Sequence, residues 1–127
     1  MPLVQIHLMQ GKTAKFRRNV GEIVYQTMVD TINVPPKDNF QIITEHDENS
    51  LIYDPEYLNI QRTEGIVIIQ ITLNEGRTVE LKKTFYKWLA ERLHSELGIR
   101  MEDVFISLVE VKKENWSFGN GVAQYAE

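Results

Sequence analysis

The chain has no cysteine. That excludes disulfides, thiolate zinc sites and a cysteine nucleophile together. It also lacks a long apolar run. The densest one, Ile66 to Ile69, stops at Gln70, far short of the roughly 18 apolar residues that a membrane span needs. Positive charge is not in excess: 14 Lys and Arg stand against 18 Asp and Glu, a net charge of -4. Neither a nucleic-acid partner nor a polybasic membrane contact is therefore expected. The opening Met-Pro-Leu-Val-Gln-Ile-His lacks the basic and apolar stretches of a signal peptide, so a cytoplasmic location is the expectation. His7, His46 and His94 have no partner at metal-ligand spacing. They read as structural, with no metal and no cofactor implied.

What is present is a repeat. With an offset of 65 positions, residues 2–45 align without gaps on 67–110, and identical pairs include Gln5/Gln70, Leu8/Leu73, Gly11/Gly76, Thr13/Thr78, Asp38/Asp103, Phe40/Phe105 and Glu45/Glu110. Apolar phase is reproduced as well: Phe16 aligns with Leu81, Val20 with Phe85, Val24 with Leu89 and Met28 with Leu93. A repeat of this kind marks a doubled structural unit.

Each copy reads strand, helix, strand. Val4, Ile6 and Leu8 alternate with Gln5 and His7, the period of a strand with one buried face. Gly11 breaks it, Thr13 caps a helix, and apolar residues recur at helical spacing from Phe16 to Ile32. Val34-Pro35-Pro36 ends that helix, and a strand resumes over Phe40–Thr44. The second copy runs Ile66–Leu73, Gly76, Thr78, a helix over Leu81–Leu97, a stop at Gly98, and a strand over Val104–Val109. Strands joined by a crossover helix are parallel. The fold class is therefore α+β: two β-α-β repeats forming a four-stranded mixed sheet with two helices on one face. The nearly all-apolar Ile66–Leu73 belongs at its centre. One domain spans 1–127: repeat one 2–45, a polar connector 46–66, repeat two 67–110, and a tail 111–127 with no counterpart in the first half.

Pro2 is the first candidate for chemistry. Removal of Met1 would expose a secondary amine, and a model α-amino group titrates at about 7.7–8.0. Burial or a nearby cation would favour the neutral base, whereas a nearby carboxylate would favour the cation. Arg77 is the second. If the two first strands pair antiparallel, the start of one lies beside the end of the other, and Pro2 converges with Arg77 across 75 positions. An arginine at a helix start can hold a carboxylate through two parallel hydrogen bonds. Its repeat mate Lys12 has no amine opposite it, so one site per chain is expected. Asp38, in the Pro35-Pro36-Lys37 turn, is the third, although its mate Asp103 shows that the position suits an aspartate for structural reasons too. Trp116, Phe118 and Tyr125 in the tail are candidate walls of an apolar pocket.

A proline-initiated strand, a doubled β-α-β unit and Gly76-Arg77-Thr78 after the third strand together resemble the tautomerase superfamily. Val34-Pro35-Pro36-Lys37-Asp38-Asn39-Phe40 and Trp116-Ser117-Phe118-Gly119 look most like its malonate semialdehyde decarboxylase branch. The resemblance covers nearly the whole chain. It implies Pro2 as the catalytic amine and Asp38 as the aspartate that tunes it or positions water. It also implies Arg77 as a substrate-binding arginine, with Trp116 and Phe118 as pocket aromatics. It further implies a homotrimer and a small oxo-acid substrate. The expected reaction is keto–enol tautomerisation, with malonate semialdehyde decarboxylation and a non-enzymatic trimeric interaction protein as alternatives. One departure bears on the choice. Such decarboxylases can carry Arg-Pro-Arg where this chain has Asn74-Glu75-Gly76-Arg77.

Overall fold

In the computed structural model, residues 2–126 are described, while Met1 and Glu127 lie outside them. The expected removal of Met1 therefore concerns a residue outside the described part. Six main elements follow the repeat: β1 (Leu3–Met9), α1 (Ala14–Thr31), β2 (Phe40–His46), β3 (Val67–Asn74), α2 (Val79–Leu97) and β4 (Val104–Val111). Short 3-10 turns occupy Tyr57–Asn59, Met101–Asp103 and Lys113–Asn115. The sheet order is β2-β1-β3-β4. β1 pairs parallel with β2, β3 parallel with β4, and the two central strands β1 and β3 run antiparallel. The mixed sheet expected from the sequence is the observed one.

Local chemistry explains the boundaries. Thr13 and Thr78 each accept a bond from the backbone N–H three residues on, capping α1 and α2 in the same way. The helix exits also match: Asn33 (φ 62°) and Gly98 (φ 70°) take the left-handed conformation that closes a helix. In both copies the residue after that, Val34 or Ile99, donates to a carbonyl six residues back, at Met28 or Leu93. The ion pairs Arg17–Glu45 (3.2 Å) and Lys82–Glu110 (2.6 Å) are likewise mates across the offset.

One face of the sheet meets both helices. Val4, Ile6, Leu8, Ile69, Ile71 and Leu73 pack there against Val20, Val24, Met28, Phe85, Leu89 and Leu93. α1 approaches the β2 side so closely that a side chain on Gly21 would collide with Gln41, whose amide donates to the Gly21 carbonyl at 2.8 Å. The opposite face leaves large apolar side chains open: Phe40, Ile42 and Phe105 are 54%, 53% and 45% exposed. On that face His7 and His46 bond to one another at 2.8 Å, and Gln5 reaches the other ring nitrogen of His7 at 3.2 Å. Burial, and then the neighbouring His46, hold the His7 pKa below its ordinary value.

Candidate active site

Antiparallel pairing of β1 and β3 sets Leu3 opposite Thr72. One step further, Pro2 falls opposite Leu73, at the sheet end where β3 runs out into Asn74 and Arg77. The register thus sets Pro2 at the end of the sheet from which the chain runs on to Arg77. Pro2 is buried and lines a cavity of about 200 Å³ with Leu3, Phe40, Trp116, Ser117 and Phe118. Phe40 arrives because β2 starts in register with β1, Leu3 opposite Phe40.

The tail supplies the other wall. Trp116 stacks on Phe118 with ring centroids 5.3 Å apart and planes 20° from parallel. Tyr125 packs edge-on against Phe118 at 4.9 Å but is not among the cavity's lining residues. A loop closed by Gln124 holds this group: the Phe118 N–H donates to its amide oxygen, and its amide nitrogen donates to the Gly119 carbonyl, both at 2.9 Å.

Arg77 stands just before Thr78, the cap of α2, and is not among the cavity's lining residues. Its Nε donates to the Ile32 carbonyl at 2.6 Å, where α1 ends, and its Nη1 to the Asn74 carbonyl at 3.2 Å. A helix C-terminus is a favourable place for a cation. At least two of its five N–H donors are thereby committed to the backbone, which fixes the direction of the fork. Burial lowers the Arg77 pKa, while the carboxylates of Glu110 and Asp38 work in the opposite direction. Glu110 itself is held below the usual carboxylate range, chiefly by its bond to Lys82.

Asp38 sits in a turn closed by its own N–H on the Pro35 carbonyl at 3.2 Å. Tyr25 pins that turn, its hydroxyl accepting from the Lys37 N–H at 2.8 Å across 12 positions. The structure thus brings Pro2, Trp116 and Phe118 together in one cavity, while Arg77 and Asp38 interact with one another and are not among its lining residues.

Four contributors escape a reading of the sequence: Phe40, Tyr25, Asn74 and the Ile32 carbonyl. Phe40 was legible as the start of a strand, and the parallel register then places it at Pro2. No sequence signal points to a backbone carbonyl or to the Tyr25 hydroxyl.

A four-stranded sheet made of two antiparallel-related β-α-β units, with a proline at the head of a central strand, defines the tautomerase class of fold. Two profiles described as "Tautomerase enzyme" match residues 38–119 and 2–60. The probable tautomerase YusQ of Bacillus subtilis (strain 168) is 46% identical over the whole of both chains. The probable tautomerase YrdN of the same organism is 37% identical over 98% of this chain and 96% of its own. Among solved structures, FG41 malonate semialdehyde decarboxylase inhibited by 3-bromopropiolate superposes with a TM-score of 0.90 at 35% identity, covering 98% of this chain and 94% of that one. A fused 4-OT symmetric trimer superposes with a TM-score of 0.78 at 26% identity over 98% of both. The chain belongs to the tautomerase family.

Proposed function

We propose that the protein is an enzyme that uses the secondary amine of Pro2 as acid and base on a small oxo acid, interconverting its keto and enol forms. The carrying observation is the placement of Pro2: buried, next to the head of β1, in a cavity walled by Phe40, Trp116 and Phe118. A neutral amine takes the proton from the carbon next to the carbonyl and returns it to oxygen, and the reverse path runs through the same groups. Arg77 holds the substrate carboxylate through donors not committed to the backbone. Phe40, Trp116 and Phe118 receive the apolar side chain and keep water from the amine.

A decarboxylase reading has specific support. Asp38 acts on the same arginine and stands near the amine's end of the sheet, which favours the protonated form, and the malonate semialdehyde decarboxylase neighbour is 35% identical. A protonated Pro2 would polarise a 3-oxo acid's carbonyl by hydrogen bonding and donate a proton to the enolate left by loss of carbon dioxide. Against it stands the single arginine of Asn74-Glu75-Gly76-Arg77.

We assign the open sheet face, with Ile42, Phe105 and Val109, to the interior of a homotrimer; the fused 4-OT neighbour is a trimer. The deciding experiment compares ketonisation of phenylpyruvate enol with carbon dioxide release from malonate semialdehyde, by the native chain and Pro2→Ala. A faster first reaction that collapses in the variant supports the tautomerase. Full activity of the variant on both substrates overturns the role of the amine. Sedimentation at micromolar concentration tests the trimer, and a monomer contradicts it.

A further inference from the structure

We infer that Asn74 is a positioning residue that ties the aromatic wall of the cavity to its anion anchor. The inference rests on the proposed use of Arg77 and Trp116 for the two ends of one substrate. Asn74 is the last residue of β3, and it bonds both groups. Its side-chain Oδ1 accepts the indole N–H of Trp116 at 2.8 Å. Its main-chain carbonyl accepts from the Arg77 guanidinium at 3.2 Å. The backbone of Asn74 is itself held by pairing with Val111, and Glu75 continues that ladder to the Val111 carbonyl at 2.9 Å.

Trp116 needs such an anchor. It lies beyond the end of β4, after the 3-10 turn Lys113–Asn115. Its own N–H reaches the Lys113 carbonyl only at 3.4 Å. Stacking on Phe118 fixes the plane of the indole but not which edge points inward, because a flipped indole stacks as well. A hydrogen bond to Nε1, the ring's single donor, selects one of the two orientations. The face that Trp116 turns to the cavity, and its distance from Arg77, are then set by Asn74.

The fold alone does not require an asparagine here. The position's repeat mate is Met9, which ends β1 in the same register and offers no such acceptor. Nothing at that end corresponds to Trp116, since the tail has no copy. Asparagine therefore goes with the aromatic wall, not with the strand end.

The test uses the full chain with its two tryptophans, Trp116 and Trp88, labelled with ¹⁵N. Trp88, on α2, is the internal reference. Asn74→Leu removes the acceptor at similar size, and Asn74→Asp keeps it. In Asn74→Leu the Trp116 indole resonance should shift and exchange faster with solvent, the Trp88 resonance should stay, and Asn74→Asp should restore the original pattern. KM for phenylpyruvate enol should rise roughly five- to tenfold with kcat changed less than about twofold, the size expected for one lost hydrogen bond. Trp116→Phe should raise KM similarly, and the double variant should add nothing further, because both changes cut the same link. Additive effects, or an unmoved Trp116 resonance in Asn74→Leu, overturn the inference. Loss of the Trp88 pattern as well would mean general disruption and also counts against it. If phenylpyruvate is not turned over by the native chain, the functional reading fails separately. Fluorescence titration with inert 3-phenylpropanoate then replaces KM, and the same coupling or its absence decides the role of Asn74.

Discussion

At one end of the sheet stand Pro2, Asp38 and Arg77; at the other stand their repeat mates Val67, Asp103 and Lys12. Both ends have a cavity, of about 200 and 220 Å³. They are walled differently. The tail brings Trp116 and Phe118 to the first, while the connector brings Thr63, Glu64 and Gly65 to the second. Asp103 is 1% exposed and accepts from the Thr63 N–H at 2.7 Å and the Thr63 hydroxyl at 2.6 Å. A Cβ on Gly65 would lie 3.1 Å from its Oδ2. Its lone pairs hold the connector in place, whereas Asp38 acts on the arginine beside an amine. Under the proposed function, identical aspartates at equivalent positions serve cohesion at one end and chemistry at the other. The segments outside the repeat decide which.

Breaking the pair Pro2 and Val67 should show the largest contrast. Pro2→Ala should lower kcat by roughly 10²- to 10⁴-fold, the usual contribution of a positioned acid–base group, with the melting temperature nearly unchanged. Val67→Ala should leave kcat alone and cost about 2 kcal/mol of stability, since Val67 is a core residue. Denaturant melts and steady-state rates on the two variants check both halves.

The anion anchors come next. Arg77→Ala should weaken carboxylate binding by about 2–4 kcal/mol, read as a higher KM. Lys12→Ala, which loses only an exposed cation over the Phe16 ring at 5.0 Å, should change neither KM nor stability measurably. An equal effect of the two would abolish the distinction drawn between the ends.

The aspartates sharpen the comparison further. Asp103→Ala strands the Thr63 donors and should cost about 2 kcal/mol in stability with activity retained. Asp38→Ala should instead move the acid limb of the kcat profile down in pH, because loss of a carboxylate makes the Pro2 amine easier to deprotonate. A large stability loss with an unmoved profile would make Asp38 a structural residue like its mate.

The smallest effect is expected away from both ends. The depressed pKa of His7 means that the folded chain binds its proton less readily than the unfolded one. Its contribution to stability is therefore present above about pH 6.5, the ordinary histidine value, and is lost as pH falls toward the folded value. His7→Gln should flatten this acid-side slope slightly in melts between pH 8 and 5.

The doubled unit, its helices and the position of β3 were legible because the apolar phase repeats across 65 positions and the strand Ile66–Leu73 carries almost no polar face. Pro2 and Arg77 could be brought together on paper because antiparallel pairing of equivalent strands is a matter of symmetry. What the sequence did not reveal depends on geometry that has no repeat. The indole of Trp116 reaches Asn74 across 42 positions from a tail with no mate. The bond between His7 and His46 follows from the parallel register, not from any ligand spacing. Helix ends differed by a residue or two from the apolar pattern, since the first turns of α1 and α2 begin at the threonine caps rather than at the first apolar side chain.

One contact lies where the two halves meet. Thr27 and Arg92 are mates, and they touch: Arg92 Nη1 reaches the Thr27 hydroxyl at 3.3 Å, while that hydroxyl donates to the Ile23 carbonyl at 2.6 Å. Were the halves separate identical chains, this position would face itself across an isologous axis. Arginine there would meet arginine, and threonine would meet threonine. Joining the halves in one polypeptide lifts that constraint. Arg92 can lean on Asp30 at 2.8 Å and over the Trp88 ring at 5.1 Å without a second guanidinium opposite. Within one polypeptide the joint need not be self-complementary, and so each side can change without changing the other.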